Sequence, residues 1–153
     1  MKQNYEFMTS RPLKEFFRFI EKQYGKVPEV FEGKVFVQGK EKIYLLTRDV
    51  EKISLDKLRI NSLGLYIAEV KDGVLRLSIE GSQLIGPTAT KNICELTTEQ
   101  VKQWFQGNDI KVEEIYEGFA ILKHNNDFVG SGKFKDGFIL NFVPKARRLL
   151  EVH

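Results

Sequence analysis

Six cations crowd residues 119–150, and the group they are best suited to meet is phosphate. Lys123, Lys133, Lys135, Lys145, Arg147 and Arg148 stand there against two acids, Asp127 and Asp136. Guanidinium forks match phosphate oxygens better than a point charge does, so Arg147 and Arg148 are the strongest phosphate candidates. Lys133-Phe134-Lys135 alternates charge and aromatic. A strand there puts both lysines on one face and Phe134 on the other, toward a core. The net charge of only +3 argues against indiscriminate polyanion binding. The plainer alternative is a solvated surface with lysines scattered for solubility.

Catalytic constellations are not visible in the order of residues. No GxGxxG follows a strand, and there is no P-loop. His124 and His153 are the only histidines, with no carboxylates at recognisable metal-ligand spacing. Ser62 and Ser131 lack a visible base and orienting acid. Glu113, Glu114 and Glu117 could form a carboxylate cluster, but a solvated strand or loop edge explains them better. The single cysteine, Cys94, excludes an internal disulfide and a cysteine-based zinc site and argues for a reducing, cytoplasmic home. Its apolar neighbours read as the surroundings of a small buried hydrophobe. No apolar run approaches the roughly 18–20 residues of a membrane helix, and the opening residues show no secretory signal. The expectation is a cytoplasmic chain that is not an enzyme, with no metal, cofactor, membrane or small-molecule substrate.

The elements that must position these cations are local and well marked. A helix is predicted over Arg11–Gln23, with Thr9 or Ser10 as cap, Leu13, Phe16, Phe17 and Ile20 as its apolar stripe, and Gly25 as its end. Val35–Val37 and Ile43–Leu46 read as a hairpin, as do Leu65–Val70 and Val74–Ile79 about Asp72-Gly73. Ile53–Leu58 reads as a helical turn. Gly81–Asn92 reads as a connector and domain junction, dividing the chain into residues 1–82 and 83–153. Thr97 and Gln100 have capping-box spacing for a helix that presents Val101, Trp104 and Phe105 on one face and stops at Gly107. Runs at Phe119–Leu122, Phe128–Phe134 and Phe138–Val143, separated by Asn125-Asn126-Asp127 and Asp136-Gly137, predict a three-strand meander. Gly130 and Gly132 share a strand face, either for close approach of another backbone or at a bulge or barrel corner.

The order of these motifs resembles the RNA-binding PUA-like domain at the C-terminus of Fmu/Nop-type ribosomal RNA cytosine-5 methyltransferases. The resemblance rests on Phe128-Val129-Gly130-Ser131-Gly132, Lys135-Asp136-Gly137 and Asn141-Phe142-Val143-Pro144-Lys145. Leu96–Gln100 leading to Gly107, and Ser62–Ile67 before Asp72-Gly73, fit the same pattern. It covers roughly the last two thirds of the chain, from about Arg59 onward. It implies an α+β protein, with an N-terminal mixed α/β subdomain (1–82) followed by a C-terminal PUA-like β pseudo-barrel (83–153). Those methyltransferases carry their nucleophile in a Pro-Cys motif of a separate Rossmann-like domain. Nothing around Cys94 resembles that motif, so the activity is not carried over.

The function implied is non-catalytic binding of structured RNA, ribosomal or transfer, in ribosome biogenesis or RNA modification. The expected contacts are Lys123, His124, Lys133, Lys135, Lys145, Arg147 and Arg148, with Tyr66 able to stack on a base. A methyltransferase or a ribosome-assembly protein is the expected partner. Two other readings remain open. One is a protein-interaction adaptor for an RNA-modifying or ribosome-assembly complex. The other is a small RNA-processing enzyme on a related barrel, needing a lysine, acid or threonine set in a cleft.

Overall fold

A computed structural model describes residues 5–46 and 64–142. Among these residues the chain is α+β, with two five-stranded sheets and three α-helices. Helix α1 (Ser10–Tyr24) buries Phe16, Ile20 and Tyr24 on one face. Gly25 ends it at φ 91°, a left-handed conformation that glycine adopts cheaply. Thr9 is the N-cap residue, although its side chain makes no capping bond.

The first sheet runs β1 (Glu6–Phe7), β2 (Phe36–Gln38), β3 (Lys42–Leu46), β4 (Gly64–Lys71) and β5 (Val74–Leu77), antiparallel throughout. Both predicted hairpins are present. The β4–β5 turn uses Asp72 at φ 52° and Gly73 at φ 75°, the paired positive values that suit the twist of a tight hairpin. Ile53–Leu58 lies outside the described residues.

Between the sheets the chain is helical over most of Gly81–Asn92. Helix α2 (Ile79–Ile85) and a 3-10 turn (Gly86–Thr88) fill most of that stretch. Ser78 caps α2, its Oγ accepting the Gly81 N–H at 2.9 Å. A Cβ on Gly81 would collide with the Ile67 carbonyl of β4, and one on Gly86 with the Phe128 ring. The helix sits so close to its neighbours that two contacting positions carry no side chain, and the apolar periodicity that marks a helix is missing.

The second sheet has the order β6 (Ile93–Glu95), β8 (Phe119–His124), β9 (Asp127–Lys135), β10 (Phe138–Leu140), β7 (Ile110–Lys111). β6 and β8 pair in parallel and the rest antiparallel. Parallel strands need a crossover, and α3 (Thr98–Phe105) lies within it. The predicted capping box is present: the Thr97 N–H donates to Gln100 Oε1 at 2.9 Å, and the Gln100 N–H to Thr97 Oγ1 at 3.1 Å.

Strand β8 serves two cores because its side chains alternate between faces. Ile121 joins Phe16, Ile20, Phe31, Phe36 and Leu75 in the first. Ala120 and Leu122 join Cys94, Ile110, Ile139 and Trp104 in the second. The Tyr24 hydroxyl donates to the Phe119 carbonyl at 2.6 Å, and Gln23 Nε2 donates to the same oxygen at 3.0 Å. These bonds pin the end of α1 to the second sheet.

Candidate nucleic-acid interface

Strand alternation decides where the predicted cations go. Ser131, Lys133 and Lys135 share one face of β9, while Gly132 and Phe134 take the other. Both lysines are exposed and Phe134 is half-buried against the second core, as its alternation predicts. Neither lysine side chain has a hydrogen bond or ion pair with a described residue. Lys133 sits between Phe119 and Leu140 on the neighbouring strands, and Lys135 beside Phe138.

Lys123 and His124 belong to the opposite end of the meander. Lys123 pairs with Phe128 in the β8–β9 register, five residues from Lys133, or roughly 16 Å at strand rise. Its Nζ lies 5.6 Å from the Phe128 ring. His124 Nδ1 is 2.9 Å from the Leu96 carbonyl, and Nε2 is 3.4 Å from Thr98 Oγ1. A proton on Nδ1 makes the first of these a donated bond, so the ring ties β8 to the start of α3. Lys145, Arg147 and Arg148 lie outside the described residues.

Tyr66 stands on β4, half-buried, with Lys42 Nζ 5.1 Å from its ring centre and Tyr44 packed at 5.8 Å. Its hydroxyl donates to Glu69 Oε2 at 3.3 Å. Burial, and then the Glu69 carboxylate, push its pKa up to about 12, so it remains a neutral phenol at ordinary pH.

Tyr66 and the lysine face meet at a cavity between the two sheets. It holds about 360 Å³, with Lys42, Tyr66 and Arg76 on the first-sheet side and Trp104, Ser131 and Phe142 on the other. The Arg76 guanidinium carbon is 5.1 Å from the Phe142 ring centre and 5.9 Å from that of Phe119. Its Nη2 donates to the Phe142 carbonyl at 3.0 Å, so its plane is held beside two aromatic rings. Ser131 Oγ donates to the Leu77 carbonyl at 2.8 Å, latching β9 to β5 at the cavity wall.

Trp104 is fully buried, and its Nε1–H has no acceptor among the described residues. Leaving such a donor unpaired costs about 1–3 kcal/mol. A Cβ on Gly130 would lie 3.9 Å from that nitrogen, and Gly130 has φ 135°, which side chains rarely adopt. Glycine therefore fits the backbone there and sets no side chain against the N–H. The β8–β9 register also shifts here, Leu122 pairing with Gly130 and Lys123 with Phe128. Gly130 thus lies beside a bulge. Gly132 serves close packing, because a Cβ there would fall 2.6 Å from Trp104 Cη2. Lys42, Arg76 and Trp104 carry no sequence signal as a group, since they come from β3, β5 and α3.

Other chemistry finds no support among the described residues. No group of three His, Cys, Asp or Glu residues is placed to hold a metal. Cys94 is 2% exposed. Burial pushes its thiol pKa up; a hydrogen bond with Tyr116 pulls it down, and the Glu114 and Glu95 carboxylates add to the rise. A thiol so placed is a poor nucleophile. Among the described residues no helix is long and apolar enough to cross a membrane.

Residues 91–149 match the family model described as the methyltransferase RsmF PUA domain. That stretch takes in α3, β6–β10, Trp104, Lys133 and Lys135. Ribosomal RNA small subunit methyltransferase F of Aeromonas hydrophila is 29% identical over 129 residues, covering 84% of this chain and 26% of its own length. The protein of that name from Vibrio cholerae is 27% identical over 104 residues, 67% of this chain and 22% of its own. The chain therefore spans about a quarter of the length of the curated relatives it matches. A likeness covering 84% of the chain extends well upstream of residue 91, into the first sheet.

Proposed function

We propose that this chain binds structured RNA, ribosomal or transfer, as the RNA-gripping module of an RNA-modification or ribosome-assembly system. The observation that carries this reading is the exposed Lys133–Lys135 pair, whose side chains have no partner among the described residues, within the stretch that matches the PUA-domain model. It lies on the same β9 face as Ser131, which lines the aromatic and arginine-walled cavity. Folded RNA presents phosphates at its surface and unstacked bases in its loops, and these two features suit the two parts of this surface. The relatives are named as small-subunit ribosomal RNA methyltransferases, which favours ribosomal RNA in modification.

On this reading residues 83–153 are the RNA-binding unit and residues 1–82 an adjoining α+β domain. Lys123, His124, Lys145, Arg147 and Arg148 extend the contact, and Tyr66 joins it through the cavity. The chain does no chemistry of its own; a methyltransferase or ribosome-assembly protein in the cytoplasm is its partner. The test is binding to a folded small-subunit ribosomal RNA fragment across a salt series, with an unstructured strand as competitor. Wild type should prefer the folded RNA. The double variant Lys133→Ala/Lys135→Ala should weaken binding about tenfold and flatten the slope of log affinity against log salt by about 1–2. Unchanged affinity and slope in a folded double variant would remove the lysine pair from the interface, and no preference for folded RNA would remove the function.

A further inference from the structure

We propose that the cavity between the sheets takes one unstacked nucleobase of the bound RNA, with the Trp104 Nε1–H donating to an acceptor on its edge. The inference rests on the RNA-binding reading and specifies how it reaches beyond phosphate. Three features of the cavity select this ligand. Its walls include flat groups, the Tyr66 and Phe142 rings and the Arg76 guanidinium held beside Phe142 and Phe119. Flat walls suit a planar heterocycle, whose π-face stacks on aromatic rings and guanidinium planes.

The buried indole N–H is a donor with no acceptor among the described residues, and Trp104 and the side-chain-free Gly130 next to that nitrogen both line the cavity. Ring nitrogens and carbonyl oxygens on a base edge are acceptors of the right kind. The lining carries two cations, Lys42 and Arg76, against one acid, Glu80, so a phosphate attached to the base finds a favourable field. A volume of about 360 Å³ falls at the lower end of the roughly 300–1,000 Å³ usual for ligand sites, which fits one nucleotide and not a duplex. The exposed lysines two and four residues beyond Ser131 then lie where the RNA backbone would leave the cavity.

Trp104 is the single tryptophan of the chain, so one indole N–H resonance in a nitrogen–proton correlation spectrum reports on this donor alone. That resonance is to be followed while each of the four nucleoside 5′-monophosphates, and then the folded ribosomal RNA fragment, is added to the full chain. RNA binding is measured in parallel by filter retention. The expected result is a saturable shift of the indole resonance with at least one mononucleotide and with the RNA. Arg76→Ala should weaken the mononucleotide about tenfold. Retained RNA with an indole resonance that neither RNA nor any mononucleotide moves would overturn the base cavity while leaving the RNA reading intact. A mononucleotide shift without RNA binding would do the reverse. No shift and no RNA binding would end both.

Discussion

Around α1 and the first sheet the core is closed with phenylalanine, whereas around α3 and the second sheet it is closed with one tryptophan. In the first, the Phe31 and Phe36 rings meet edge to face at 5.2 Å, and Phe16 and Phe17 pack on Phe36 at 6.2 and 5.7 Å. Such rings fill volume and leave no polar atom behind. In the second, Trp104 fills volume but brings an N–H that the surrounding side chains do not satisfy. Buried polar groups without a partner are rare and call for a reason. Here the reason is the cavity beside it. One region is finished as a scaffold, and the other is left open at the point where it can meet a ligand.

The strongest way to break that contrast is in the scaffold. Phe36 is 1% exposed and touches three other rings, so Phe36→Ala should cost about 3–5 kcal/mol. Chemical denaturation measures it directly. A loss below about 1 kcal/mol, outside the range for deleting a buried ring, would mean that the aromatic cluster is not what closes the first core.

A smaller effect is expected where Trp104 is seated. A methyl group on Gly132 would press into Ile139 and lie 2.6 Å from Trp104 Cη2 and 3.0 Å from the Leu140 carbonyl. Gly132→Ala should therefore cost about 1–3 kcal/mol by overpacking and shift the tryptophan emission. A neutral substitution with unchanged emission would show that the indole is loosely held, and the orphaned N–H would then lose its meaning as a fixed feature.

The scaffold is far more legible in the sequence than the cavity. Asp72-Gly73, Asp136-Gly137 and the Thr97…Gln100 box are signals carried by residues one to three apart, and each marks its element in the structure. The alternation of Lys133, Phe134 and Lys135 is likewise local. The cavity depends on distant pairings. Lys42 and Tyr66 approach through the β3–β4 register, which shifts between Ile43 and Tyr44. Arg76 and Phe142 meet through a side-chain-to-carbonyl bond 66 residues apart in sequence. Helix α2 packs between the sheets through Gly81 and Gly86, whose bareness hides the helix from any hydrophobic pattern. Tyr66 is recognisable as an aromatic candidate, but the cation on its ring and the indole across the cavity are not.

The mildest test acts on the seam between the two regions. The Tyr24 hydroxyl, donating to Phe119 at 2.6 Å, is buried along with its ring. Burial pushes its pKa well above the ordinary tyrosine value, against a smaller opposing effect from the Gln23 hydrogen bond. The folded state therefore holds this proton more tightly than the unfolded chain, where a phenol titrates near pH 10. Its contribution to stability is complete below that pH and declines as the pH rises above it. At pH 10 half of the unfolded-state phenols are ionised, and Tyr24 alone then accounts for a loss of about 0.4 kcal/mol. Tyr66 and Tyr116, raised chiefly by burial as well, act in the same direction. The melting temperature should thus fall as the pH rises above about 10, and Tyr24→Phe should reduce the slope of that fall. A flat or rising profile would remove the buried phenol from the seam. Because Phe119 also packs its ring toward Arg76, a loosening there reaches the cavity wall, and the indole resonance of Trp104 should broaden over the same pH range in which the melting temperature drops.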